Sequence, residues 1–338
     1  MAVAGFAGIV YGNKSEEVQG RRIGLVTDLG GIGDGSFNQS AWEGIQEFVK
    51  DNGTWQASYL ETAQDADILP NLGAAASVND IVVVPGFKFS DAIGAAADQY
   101  PDTQFILIDA EPADGARDNV VSYLSKEEQG GYLAGVAAAT NTKSDTLGFI
   151  GGIPVPAVQN FLVGYIQGAR SINPEIKIDV QYANSFTDAT IGKQKASAMY
   201  ASGIDTIFTA GGGVNFGVIE EAKALTSSGQ KVWTIGVDRD QYGDGLMGDD
   251  VSVVLTSAEK KVGAIVVSAL EKINSGEESL EPVVVLDFES GAVGLPDTNP
   301  NFTDEVNEAV KSASEDILNG KVIENMFNFE NVSQAGIY

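Results

Sequence analysis

The 338-residue chain contains neither cysteine nor histidine, and only 20 of its residues are lysine or arginine. Without imidazole or thiolate there is no Ser-His-Asp triad, no cysteine nucleophile, no thiolate cluster and no usual zinc site, since each of those chemistries needs one of the two side chains. Disulfides are excluded too, so cysteine usage says nothing about the redox compartment. The few cations face 47 acidic residues, for a net charge of −27. That balance argues against nucleic acid or an anionic membrane surface as an electrostatic partner.

What is present describes a globular chain. Apolar residues make up 43% and there are 40 glycines, which means ample core material and many tight turns. The length suits two domains of about 150 residues each. The acids are scattered along the whole chain and not collected in a tail. This favours adaptation to high salt, where the Debye length is only about 3 Å at 1 M, over an ordinary solvated acidic face. Ala2 to Tyr11 is apolar, but ten residues fall well short of the roughly 20 that span a bilayer, and no basic segment precedes them. This stretch reads as the remnant of an export or anchor segment followed by a polar linker, Asn13 to Gly20, or equally as a frayed end.

From Ile23 onward, short β-rich runs alternate with helical patterns. Strands are expected at Ile23 to Val26, Ala57 to Glu61, Ile81 to Pro85, Gln104 to Asp109 and Val120 to Leu124, with helices near Ala66 to Ser77 and Ser90 to Gln99. After a long helical pattern, Glu127 to Thr140, the series starts again. Its strands are Thr146 to Ile150, Ile176 to Tyr182, Thr206 to Thr209, Lys231 to Val237 and Val251 to Thr256; its helices are Pro156 to Ser171, Ala189 to Ser202 and Val218 to Ser227. Alternation at this spacing means βαβ units and two doubly wound parallel sheets. The remaining helices, Ala258 to Ile273 and Asp304 to Leu318, and the strand Val283 to Phe288 complete these sheets. The chain then crosses between lobes near Leu124 to Glu127, Leu255 to Ala258 and Phe288 to Gly294. That is the plan of a type I periplasmic-binding-protein fold with a three-strand hinge. The expected lobes are 21–125 with 257–288 and 126–256 with 289–325, flanked by the segment 1–20 and a tail, 326–338.

The first strand ends in a stretch that organises the rest, RIGLVTDLGGIGDGSFNQSAWEG from Arg22 to Gly44. A strand, a glycine-rich loop and a helix start place free N–H groups at a strand's carboxyl end, where open α/β sheets bind ligands. This stretch resembles the signature of the basic membrane protein family, purine nucleoside receptors that serve as solute-binding components of ABC importers, whose usual form is close to TDxGGxxDxSFNQxxxEG. Phe105-Ile-Leu-Ile-Asp109, Ala210-Gly-Gly, Gly236-Val-Asp238 and Ser257-x-x-Lys260 agree in order and spacing. The resemblance covers roughly residues 21 to 325. It implies an extracytoplasmic or membrane-associated lipoprotein, a monomer without cofactor, that delivers a purine nucleoside to a permease.

Several residues are candidates for the site. Asp28 either reaches into the cleft or caps the glycine-rich turn; the resemblance favours the cleft. Phe37, between polar residues at a helix start, is poorly placed for a core and well placed to lie against a ring, where stacking contributes about 1–3 kcal/mol per base. The resemblance implies a second ring, expected to be Phe208 with Phe216 as its rival; Phe208 also continues an apolar strand and fits ordinary core packing. Of Ser36 and Asn38, one is expected to cap the helix and the other to meet a base edge, Ser36 being favoured by the resemblance. Asp109, at the end of an apolar strand, offers acceptors to a purine N–H and amine, or caps the turn at Glu111 and Pro112. Asp238 occupies the strand-end position that holds ribose hydroxyls in nucleotide folds, or else its neighbours Arg239 and Asp240 form a solvated pair. Lys260, selected over Lys261 by family spacing, would supply donors to the sugar. Gly212, within Gly211 to Gly213, offers backbone N–H groups to a sugar hydroxyl, although Val214 departs from the usual AGGxG.

This inventory serves affinity and contains no evident nucleophile, so a binding protein is expected and not an enzyme. Carboxylate pairs run glycosidic chemistry at separations of about 5–9.5 Å, but no spacing here argues for such a pair. A sugar-binding protein of the same fold is the alternative. A DNA-binding regulator of this fold would need a basic helix-turn-helix before the first strand, and the residues there are not basic.

Overall fold

The structure, a computed structural model, describes residues 20–248, 251–276, 281–326 and 328. The apolar segment 2–11, the linker 13–19 and the end of the tail, 329–338, lie outside the described residues. The chain builds two six-stranded sheets, each sandwiched between helices. The first series runs β1 (Arg22–Val26), α1 (Phe37–Asp51), β2 (Gln56–Leu60), α2 (Ile68–Ala76), β3 (Ile81–Pro85), α3 (Ser90–Gln99), β4 (Gln104–Ile108) and β5 (Val120–Ser125). The second runs α4 (Glu127–Asn141), β6 (Thr146–Gly151), α5 (Pro156–Ile172), β7 (Lys177–Tyr182), α6 (Ala189–Ala201), β8 (Thr206–Ala210), α7 (Val214–Ser227), β9 (Trp233–Asp238) and β10 (Val254–Lys260). Then follow α8 (Val262–Asn274), β11 (Val283–Leu286), β12 (Val293–Gly294) and α9 (Asp304–Leu318).

The sheet orders are β11-β5-β4-β3-β1-β2 and β12-β10-β9-β8-β6-β7. Within them β12 pairs antiparallel with β10 and the other pairs are parallel. Strands buried on both faces read as continuous apolar runs, as Ile81–Pro85 shows along its whole length. In the first lobe α1 and α8 cover one face and α2 and α3 the other, each with its own apolar core.

The three crossings follow from sheet membership. β5 leads into α4, which packs on α5; β10 leads into α8, which returns to α1; β11 leads into β12. The second crossing falls between Lys260 and Val262, not between Leu255 and Ala258, because β10 continues to Lys260 beside β9 and β12. α8 therefore begins at Val262, and α7 begins at Val214, ahead of the expected Val218. The crossings are tied together: Lys126 Nζ lies 3.1 Å from Asp287 Oδ2, and the Phe288 N–H donates to Gln129 Oε1 at 2.8 Å.

α4 is buried on nearly every side, and it meets α5 through glycines from both helices. A Cβ on Gly168 would lie 1.9 Å from the Tyr132 carbonyl oxygen, and one on Gly131 would lie 2.2 Å from that of Phe161. The helices touch backbone to backbone, and a methyl group has no room. On an open helix Gly→Ala stabilises by about 0.5–1 kcal/mol, but overpacking costs about 1–3 kcal/mol. Gly168→Ala is thus expected to lower the unfolding free energy in urea by at least about 1 kcal/mol. A gain in stability would show that the helices are not in backbone contact.

Candidate functional site

A cleft between the lobes is lined by residues at the carboxyl ends of strands from both sheets: Asp28 after β1, Gly86 after β3, Asp109 after β4, Gly211 and Gly212 after β8, Asp238 and Lys260. About 730 Å³ of space free of protein atoms, the open mouth included, lies between these residues.

Its first wall is built by two aspartates that receive the glycine-rich loop. Asp34 Oδ1 accepts from the Ser36 and Gln39 N–H groups, each at 3.0 Å, while Oδ2 accepts from the Asn38 N–H and Nδ2, each at 2.9 Å. Asp34 therefore satisfies the open N–H groups of α1, and neither Ser36 nor Asn38 does so with its side chain. Asn38 lines the cleft, but its amide is engaged: Nδ2 donates to Asp28 Oδ1 at 2.7 Å and Oδ1 accepts from the Asp28 N–H at 3.3 Å. Asp28 fills both roles weighed for it, since Oδ1 also accepts from the Gly30 N–H at 2.9 Å and the residue lines the cleft. Burial raises its pKa. The pattern Asp-x-x N–H is the Asx turn, legible at both positions from residue type.

Asp109 and Asp238 end their strands in the left-handed region, with φ of 60° and 66°. Non-glycine residues held there cost of order 1–3 kcal/mol and cluster at functional sites. Between them lies Lys260, buried, whose ammonium donates to Asp109 Oδ2 and sits 3.5 Å from Glu127 Oε1. It also lies 4.8 Å from the centre of the Phe37 ring. Burial works against the charged ammonium, yet the carboxylates of Asp109, Glu127 and Asp238 hold its pKa above the usual lysine value. Asp109 Oδ1 is buried without a hydrogen-bond partner. Lys261 stands outside the cleft, 3.7 Å from Glu259.

Ser36 is fully buried and does not line the cleft; its hydroxyl donates to Asp238 Oδ2 across the lobes. The solvated Arg239–Asp240 pair does not form, because Arg239 is turned to Asp244 at 2.7 Å. Phe208 is not a cleft ring. It is fully buried among Phe149, Phe161 and Tyr165, with ring centres 5.3–5.8 Å away, as a central strand flanked by helices on both faces dictates. Phe216 is absent from the cleft wall and its ring packs on Gly35. The second lobe presents Phe186 instead, between β7 and α6. Its setting, Ser185-Phe186-Thr187, repeats that of Ser36-Phe37-Asn38, a ring between polar residues near a helix start. Gly212 lines the cleft with φ 56°, and Val214 opens α7 as a core residue.

The chain matches the family described as ABC transporter substrate-binding protein, PnrA-like, over residues 22–325. It belongs to that family. A relative from Listeria monocytogenes, named CD4+ T-cell-stimulating antigen, is 40% identical over 89% of this chain and 87% of its own. One from Lactococcus lactis, named ABC transporter nucleoside-binding protein BmpA, is 39% identical over 89% and 88%. Among solved structures, an ABC transporter solute-binding protein from Aeropyrum pernix superposes with a TM-score of 0.79 at 23% identity, covering 94% of this chain and 98% of that one. PnrA-like proteins are the solute-binding components of ABC transporters, which places this chain among extracytoplasmic or membrane-anchored proteins. Among the described residues no helix is long and apolar enough to cross a membrane.

The buried carboxyls beside Lys260 in this PnrA-like protein give a pH dependence with a definite sign. Burial pushes Glu127 up to about 7, with Lys260 pulling down and Asp109 pushing further up, and pushes Asp238 up to about 6. The folded chain then keeps protons that the unfolded chain releases from about 4.5 upward, so these groups make stability fall as pH rises towards 7. Glu127→Gln removes one of them. In urea unfolding between pH 5 and 7 the variant is expected to lose less stability than the parent, and an equal or larger loss contradicts this account of Glu127.

Proposed function

We propose that this protein captures a purine nucleoside between its lobes and delivers it to the permease of an ABC importer. The observation that carries the reading is the conjunction, in one cleft, of an aromatic ring from each lobe with buried strand-end carboxylates. Phe37 and Phe186 supply faces for a base, a contact that reads the ring and not its edge. Asp28 and Asp109 are acceptors for ring N–H and exocyclic amine, and the unpartnered Asp109 Oδ1 is a buried acceptor of the kind that is costly to leave unpaired. Asp238 and Lys260 present a carboxylate and an ammonium to the ribose hydroxyls, with Gly212 beside them.

Charge narrows the ligand further. Among the described residues that line the cleft Lys260 is the sole cation, against the four acids Asp28, Asp34, Asp109 and Asp238. A phosphorylated ligand meets net repulsion here, whereas a neutral nucleoside brings the donors that these acceptors need. The nucleoside-binding name of the Lactococcus lactis relative points the same way. The reading needs no cofactor and no turnover, and it takes the protein to be a monomer outside the cytoplasm.

Titration calorimetry tests the assignment within the site. Phe37→Ala is expected to weaken inosine, guanosine and adenosine alike, by about 1–3 kcal/mol. Asp238→Ala also breaks the cross-lobe bond to Ser36, but that loss is common to all ligands and cancels in a double-mutant cycle. Ribonucleosides are expected to lose more than their 2′,3′-dideoxy analogues, because mutation and hydroxyl deletion touch one contact and their costs do not add. Strict additivity would remove Asp238 from the sugar, and binding of ribose with no response to any nucleoside would defeat the purine reading.

A further inference from the structure

One peptide group of the glycine-rich loop is gripped from the other lobe by residues that do not themselves line the cleft. The Gly35 carbonyl oxygen accepts from Arg239 Nε at 2.5 Å and from Gln241 Nε2 at 3.5 Å. Gly35 has φ of 66°, and its α-carbon lies so close to Phe216 that an added Cβ would be 2.1 Å from the ring. Arg239, Gln241, Phe216 and Gly35 are all outside the cleft lining.

The donors are themselves fixed. Arg239 Nη2 is held 2.7 Å from Asp244 Oδ2. The buried Gln241 accepts at Oε1 from the Val237 N–H at 3.1 Å and from Asn215 Nδ2 at 3.0 Å, and its own N–H donates to Ser257 Oγ at 3.0 Å. A preorganised pair of donors meeting one carbonyl is a receptor for the closed position of the loop. Glycine at position 35 permits both the φ of 66° and the close approach of the Phe216 ring that set this carbonyl in place.

We propose that Arg239 and Gln241 are positioning residues for ligand capture, clasping the Gly35 carbonyl across the cleft and holding the lobes shut through contacts that include no ligand atom. The apparent dissociation constant of a ligand is its intrinsic value divided by the fraction of protein in the competent closed state. The clasp raises that fraction equally for every ligand. It therefore sets affinity without setting specificity, and it acts on the rate of release more than on the rate of capture.

The absence of cysteine makes the test direct. Gln46→Cys and Ala224→Cys, on exposed positions of α1 and α7 in opposite lobes, carry two nitroxide labels whose separation is read by pulsed electron resonance. Introducing Arg239→Ala in this background is expected to lengthen the label separation of the ligand-free protein. The same substitution should weaken every bound nucleoside by one common factor of about tenfold, equivalent to about 1.4 kcal/mol. Asp244→Asn, which frees the guanidinium without removing it, is expected to act in the same direction and less strongly, and it replaces Arg239→Ala if that variant does not fold. The affinity measurement rests on the nucleoside reading, whereas the distance measurement does not. A lengthened separation in a protein that binds no nucleoside upholds the clasp and rejects the ligand. An unchanged separation, or a loss concentrated on one nucleoside, overturns the clasp.

Discussion

The arrangement of the cleft depends on one buried ammonium group. Lys260 is 3% exposed, and taking such a charge out of water is tolerated only when carboxylates converge on it. Those carboxylates come from separate parts of the fold: Asp109 from the end of β4, Glu127 from the start of α4, and Asp238 from the end of β9. Lys260 itself ends β10, where the chain crosses between lobes. This ionic cluster thereby joins the floor of the cleft to two of the three crossings. Removing one partner of a buried pair costs about 3–5 kcal/mol, because the other charge is left uncompensated. The pair contributes position more than net stability, since its own desolvation offsets much of the attraction.

Parallel sheets explain why these groups meet at all. Parallel strands of one sheet end on the same edge, so Asp28 and Asp109 share the rim of the first sheet and Asp238 and Lys260 that of the second, and the two rims face each other across the cleft. Much of this was legible in the sequence. Apolar runs such as Ile81–Pro85 and Gln104–Ile108 announce buried strands, and an acid that follows such a run has one place to go.

What was less legible has physical causes. The end of β10, Ser257-Ala258-Glu259-Lys260, carries polar residues that resemble a helix start; it remains strand because it pairs with β9 and β12. Asp34 displaced Ser36 and Asn38 as the group that closes the start of α1, since a carboxylate offers two acceptors where a hydroxyl offers a shorter reach. Phe208 was drawn to the cleft by its place beside Ala210-Gly211-Gly212, although a strand with helices on both faces has no solvent side for it. The contacts between lobes, Ser36 to Asp238 and Arg239 to Gly35, join residues about 200 apart in the chain and leave no local pattern.

The acidic character of the whole chain and the acidic character of the cleft are separate facts. The first concerns a chain of −27 net charge; the second concerns the four aspartates and one lysine that line the cleft. The central claim is that this ligand is a purine nucleoside. The most direct measurement is mass spectrometry of small molecules released by denaturing the purified protein, compared with the same protein carrying Phe37→Ala. A purine nucleoside, approaching one per chain in the parent and depleted in the variant, is the expected result; a free sugar without a base, retained equally by both, would contradict the account.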